Sequence, residues 1–207
     1  MIRVTRRYQV DPANVDEILR EAAGMLPIMR DAPGFVAYYV FRLGPGDLAS
    51  VGIFETQEQA DESVRLAAGF VKERLAKLMP NAPEVQSGKV VAHVENPTAL
   101  AKSGTLYGTR RKYRIEAANV EQIVPKLPEV ARLIGGAPGC AAYYIIRHSE
   151  GLSSLGLFES QQQAEQSAQV AADWVKQNLS GLVSGPPEIL SGEAVLRTVK
   201  SADAATV

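Results

Sequence analysis

"APGFVAYYVFR" at Ala32–Arg42 returns, little altered, as "APGCAAYYIIR" at Ala137–Arg147. In a strand, alternate residues face opposite sides. Phe35, Ala37, Tyr39 and Phe41 therefore share one face, and Val36, Tyr38, Val40 and Arg42 the other. Both faces are apolar apart from the closing arginine. A sheet with helices on one side and water on the other carries a polar outer face, so this strand requires cover on both sides. Leaving such a surface wet would invite aggregation. A second copy carrying the same surplus supplies the cover.

Working outward, the match extends through most of the chain. "RRYQVDPANVDEI" at Arg6–Ile18 pairs with "RKYRIEAANVEQI" at Arg111–Ile123. "LASVGIFETQEQADES" at Leu48–Ser63 pairs with "LSSLGLFESQQQAEQS" at Leu152–Ser167. "PEVQSGKVV" at Pro83–Val91 pairs with "PEILSGEAV" at Pro187–Val195. About 33 of roughly 87 aligned positions are identical, which makes the chain a tandem duplication. The sequence divides into a repeat at 1–95, a small, polar linker at 96–104, a second repeat at 105–200, and a tail at 201–207 with the composition of a disordered end.

Each repeat reads strand, helix, strand, strand, helix, strand. Ile2–Val10 alternates apolar and polar residues as a strand does. Asp11-Pro12 opens a helix, which Pro27 in the first copy, and Pro125 and Pro128 in the second, should kink or shorten. Pro33-Gly34 and Pro138-Gly139 mark turns needing a positive φ. Thr56 with Gln59, and Ser160 with Gln163, predict a capping box opening the second helix. Its expected buried stripe is Ala60, Val64, Ala67, Ala68, Val71, Leu75 and Leu78. Last strands are expected at Gln86–Val94 and Leu190–Val199. The fold class is α+β: two tandem ferredoxin-like βαββαβ units packed sheet to sheet as an intramolecular dimeric α/β barrel.

Composition narrows the function. Of 207 residues, 22 are Lys or Arg and 23 Asp or Glu, giving a net charge of −1. That balance offers no general attraction to nucleic acid or to an anionic membrane. No apolar run reaches the length of a membrane helix, and the start lacks a secretory apolar block. The single cysteine, Cys140, cannot form an internal disulfide. A cytoplasmic location follows.

The turn, the Phe-Glu pair and the Ser-Gly strand, in order and twice, resemble antibiotic-biosynthesis-monooxygenase-type domains of the dimeric α/β-barrel superfamily. The resemblance implies a cofactor-independent monooxygenase, or a related enzyme, acting on a small aromatic or polyketide-like compound. Its alternative is a non-catalytic small-ligand-binding or stress-associated barrel protein. No cofactor or metal is expected, since CxxC, HExxH and P-loop motifs are missing. The haem-degrading branch of the superfamily places an asparagine on the first strand, and neither first strand here has one. The partner is a small apolar or aromatic molecule, taken up by a monomer with an internal pseudo-dimer or by a homodimer.

Candidate ligand-binding residues come from the basic first strands. Arg6 and Tyr8, with Arg111 and Tyr113, share a face of what should be a central, covered strand. A buried arginine needs an acceptor. Glu55 and Glu159, ending the third strands, could supply it, or the oxygen of a bound phenol, carboxylate or enolate could. Tyr39 and Tyr144 complete the expected pocket between sheet and helices. Cys140 and Trp174, which replace Phe35 and Phe70, read as packing residues.

Overall fold

The computed structural model describes residues 1–102 and 104–200, so the proposed tail lies outside the described residues. In chain order the elements are β1 (Ile2–Gln9), α1 (Val15–Ala22), α2 (Met25–Arg30), β2 (Phe35–Gly44), β3 (Asp47–Phe54) and α3 (Gln57–Phe70). There follow β4 (Glu84–Glu95), α4 (Pro97–Ala101), β5 (Leu106–Arg114), α5 (Ala117–Ile123) and α6 (Leu127–Gly135). The last four are β6 (Cys140–His148), β7 (Gly151–Phe158), α7 (Gln161–Asn178) and β8 (Glu188–Val199). The strand order is that of a closed barrel, β1-β3-β2-β8-β5-β7-β6-β4. Among the described residues no helix is long and apolar enough to cross a membrane.

The chain forms two compact units: Met1–Ser87 with residues 194–200, and Gly88–Glu193. β4 and β8 therefore each give one end to one unit and the other end to the other. Within the second unit, Lys89–Glu95 of β4 ladders antiparallel to β6, His93 opposite Tyr144. Asn96–Gly104, expected as a linker, includes α4, which begins under an Asn96 cap with Pro97 in its first turn. Proline suits that position because the first helical N–H groups have no intrahelical partner.

In the first unit β3 lies between β1 and β2, with Arg6 opposite Ser50 and Tyr38 opposite Gly52. One face of this sheet packs on the helices through Val4, Tyr38, Val40 and Phe54 against Met25, Met29, Ala60 and Ala67. The other face is buried too: Tyr39 and Ile53 have no exposed surface. The second unit repeats the arrangement, Arg111 opposite Ser154 and Tyr143 opposite Gly156.

Local signals act where their chemistry places them. Gly34 and Gly139 take φ of 65° and 74°. Thr56 accepts from the Gln59 amide, and the Gln59 side chain accepts in return from Thr56 N at 3.0 Å. The prolines act earlier than their positions suggest. In the first copy the helix breaks at Ala23-Gly24 and restarts, leaving Pro27 in the first turns of α2. A proline ring meets the carbonyl four residues back, so the chain yields ahead of it. In the second copy a 3-10 turn at Val124–Lys126 serves the same end.

The stripe on α3 is rotated from the expected one. Ser63 is buried and Ala68 exposed, and beyond Phe70 the helix widens into a π turn at Val71–Leu75. α7 of the second unit continues instead as regular helix to Asn178.

Candidate active site

Arg6 sits on β1 facing the helices, 1% exposed. Its Nη2 donates to Ser63 Oγ at 2.7 Å, and that hydroxyl donates to the Ala60 carbonyl at 2.6 Å. The Nε and Nη1 groups are buried without a hydrogen-bond partner among the described residues. Arg111 repeats this: Nη2 to Ser167 Oγ at 2.8 Å, Ser167 to the Ala164 carbonyl at 2.7 Å, and Nε and Nη1 unfilled.

The basic residues beside them fare differently. Arg7 makes a two-point contact with Asp47, at 3.0 and 2.7 Å. Lys112 meets Glu150 at 2.8 Å. Glu55 and Glu159 do not serve as partners of the buried arginines; they pair with Lys200 at 3.3 Å and Lys102 at 2.6 Å. The register explains it. Ile2 lies opposite Phe54, so Glu55 follows the far end of the ladder, while Arg6 is opposite Ser50.

Two phenols border the guanidinium. Tyr8 shares its strand face and Tyr38 reaches it from β2. Burial pushes the Arg6 guanidinium below its ordinary value, while Tyr38 and Tyr8 oppose that shift. Burial pushes the Tyr8 phenol up to about 12, with Tyr38 adding and Arg6 subtracting. Tyr38 is also raised by burial, against the pull of the Ser50 hydroxyl and of Arg6. In the second unit Tyr113 and Tyr143 are raised, again chiefly by burial.

These shifts carry a pH prediction. A phenol whose folded value exceeds its unfolded one makes no differential contribution below the ordinary value of 10.0, and stability falls as pH rises from there toward about 12. Denaturant titrations between pH 9 and pH 12 are expected to show that fall, and Tyr8→Phe to reduce its slope. An unchanged slope would contradict the buried placement of this phenol.

The structure thus brings together Arg6 with Tyr8, and Arg111 with Tyr113. Tyr39 and Tyr144 do not join them, because strand alternation turns these rings to the opposite face. The tyrosines beside the arginines are Tyr38 and Tyr143. Tyr39 lies near Phe41, ring centroids 6.2 Å apart. Tyr144 donates to Glu95 Oε1 at 2.7 Å and stacks on His93. Ser63 and Ser167 are site residues the sequence reading missed. The signal was there: both stand at helical spacing between buried alanines, a polar residue on an apolar stripe in both copies.

Two spaces open beside Tyr8. The larger is a cleft of about 330 Å³ with Arg6 and Tyr8 at its base. Val64, Ala68, Val71 and Lys72 form one wall, and Met79–Pro83 with Val85 the other. This volume falls within the range of small-molecule sites. The smaller, of about 50 Å³, lies between sheet and helices, lined by apolar side chains with Tyr8, Tyr38 and Ser50. A counterpart of about 50 Å³ lies under Tyr113, Tyr143 and Ser154 in the second unit. Trp174 packs beside that counterpart, 5% exposed, its Nε1 donating to Glu129 at 3.0 Å. Cys140 is buried, and burial pushes its thiol up to about 11, which keeps it unreactive. Among the described residues no group of three or more His, Cys, Asp or Glu side chains converges as a metal site would.

Residues 1–68 match the family model of the antibiotic biosynthesis monooxygenase domain. No curated protein matches the chain in sequence. Among solved structures, the chain is similar to a "putative monooxygenase" of Fusobacterium nucleatum, with 9% identity, TM-score 0.74, and 97% of this chain and 94% of that one covered. A second protein of the same description, from Lactobacillus acidophilus, gives 11% identity, TM-score 0.72, and coverage of 95% and 93%. An "anthrone oxidase-like protein" gives 14% identity, TM-score 0.62, and coverage of 100% and 96%. At these identities the likeness establishes the fold.

Proposed function

We propose that this chain, whose residues 1–68 match the antibiotic biosynthesis monooxygenase domain, is a cofactor-independent monooxygenase. Its substrate is a small aromatic or polyketide-like compound, bound as a phenolate or enolate in the cleft over Arg6. The observation carrying this reading is the buried Arg6 guanidinium with two N–H groups unfilled at the base of that cleft. A desolvated cation held by one serine hydroxyl is costly. An anionic ring oxygen supplies both the missing acceptor and the countercharge. Preorganised donors in a water-poor site stabilise developing negative charge far better than water does.

In the reaction we infer, a ring methylene loses a proton to solvent and its enolate oxygen rests on Arg6. Among the described residues no His, Asp or Glu lines the cleft, so the part of Arg6 is to hold the anion and not to remove the proton. Dioxygen then adds at the carbon. One oxygen atom becomes the new carbonyl, and the other leaves as water with both hydrogens of the methylene. Tyr8, its phenol raised to about 12, stays protonated at neutral pH and serves as a donor to the bound oxygen species. The setting we propose is the cytoplasm, where Cys140 remains a thiol.

The same lack of a base in the cleft favours the second reading, a binder that sequesters a small apolar anion without converting it. Oxygen-electrode measurements with anthrone and 1,8-dihydroxyanthrone separate the two. We expect one dioxygen consumed per quinone formed. Tight binding of both compounds with no uptake would overturn the enzyme reading in favour of the binder.

A further inference from the structure

The cleft over Arg6 holds a second cation. Lys72 lines it from the π turn, exposed where Arg6 is buried, so one charge lies at the base and the other at the mouth. A lysine on a helix finds its acid three or four positions away. At those positions Lys72 has Ala68, Gly69, Leu75 and Ala76. None of the ion pairs among the described residues includes it. The second copy differs: Lys176 has Asp173 three positions before it, where the first copy has Gly69. Glu73 and Glu84, the nearest acids in sequence, are not part of the cleft lining. Two cations in a cleft without a lining acid create a field that selects anions.

Helix geometry turns Lys72 toward this space. Val64, Ala68, Lys72 and Ala76 all line the cleft, each four positions after the last. A regular helix advances about 100° per residue, so steps of four drift by about 40° and Ala76 would stand about 120° from Val64. The π turn at Val71–Leu75 takes more residues per turn and offsets part of that drift. Opposite these residues the wall is mostly apolar, with Met79, Pro80, Ala82, Pro83 and Val85, the last 47% exposed. Such a surface suits the flat face of an aromatic ring. We propose that the ligand of this cleft is an aromatic carboxylic acid, its ring oxygen on Arg6 and its carboxylate on Lys72. This rests on placing the ligand over Arg6, which the enzyme and binder readings share. A polyketide chain grown head to tail ends in a carboxyl group, so the acid, and not its decarboxylated derivative, is the preferred form.

Equilibrium dialysis of the whole protein with 1,8-dihydroxyanthraquinone and its 3-carboxylic acid tests this without any turnover. The two compounds differ only in the carboxylate. At neutral pH and low salt the acid is expected to bind about fivefold more tightly, as an exposed ion pair allows. Lys72→Met should bring that ratio to about one, and Lys72→Arg should keep it. Lys77→Met removes an exposed lysine outside the cleft and should leave the ratio unchanged. A wild-type ratio near one, a ratio that survives Lys72→Met, or an equal fall in Lys77→Met overturns the proposal. Arg6→Met should weaken both compounds alike. If it weakens neither while the ratio still depends on Lys72, the Arg6 placement fails and the Lys72 contact stands. Lys72-dependent binding of the acid with no oxygen uptake from the corresponding anthrone supports the carboxylate assignment and sinks the enzyme reading.

Discussion

Arg6→Met is expected to cut oxygen uptake with anthrone by about a hundredfold or more, and to leave the protein as stable as before or more so. The two outcomes come from one cause. The guanidinium is desolvated, has one hydrogen bond to Ser63, and makes no ion pair among the described residues. Removing it deletes an uncompensated buried charge. Methionine fills comparable volume with a flexible apolar chain. Ser63 loses one partner but keeps its bond to the Ala60 carbonyl. Losing a donor aimed at a developing oxyanion costs about two to three orders of magnitude in rate. Melting temperature and uptake together check the prediction. A structural arginine would give the reverse pattern, a lower melting temperature with activity lost only through unfolding. Arg111→Met, measured alongside, shows whether the second copy turns over substrate.

Gly34→Ala is expected to destabilise the chain by about 2–3 kcal/mol, lowering the melting temperature by about 8 °C. The backbone there has φ of +65°, which costs an L residue about 1–2 kcal/mol. An added Cβ would also fall 1.8 Å from Gln59 Oε1. That oxygen accepts from Thr56 N in the capping box of α3, so the new methyl group evicts the cap, worth about 1 kcal/mol. Calorimetry on Gly34→Ala, Gln59→Ala and the double variant forms the check. The double variant should be less destabilised than the sum, since the cap is lost only once. Strict additivity would mean turn and helix start are independent. An added Cβ at Gly139, with φ of +74°, would likewise fall 2.1 Å from Gln163 Oε1.

What could be read from the residues was set by where the physical signal is local. The duplication, the Pro-Gly turns and the first capping box depend on neighbours within a few positions, and each formed as its chemistry requires; in the second copy Ser160 accepts from the Gln163 amide, while Gln163 Oε1 has no partner among the described residues. Arg6, Tyr8, Arg111 and Tyr113 were visible because a basic strand in an apolar unit demands an explanation. Tyr38 and Tyr39 were not separable, since strand alternation says they face opposite ways without saying which way is which. The acceptor of Arg6 was out of reach for another reason. Choosing Ser63 over Glu55 takes the β1–β3 register and the rotation of α3 together, and both are tertiary facts. The π turn left no mark, because Val71–Leu75 and its counterpart around Val175 have similar helix-forming residues and different geometry.

The exchange of strand ends between the units bears on how the chain matures on the ribosome. The first unit includes residues 194–200, so a nascent N-terminal repeat cannot finish its sheet when its own last codon is read. It waits for the last strand of the second repeat, after which the Lys200 amide reaches the Val36 carbonyl at 2.8 Å across more than 160 intervening positions. Contacts of such long sequence separation slow folding. A chain cut at the end of the first repeat would thus lack the strand end that completes its own unit.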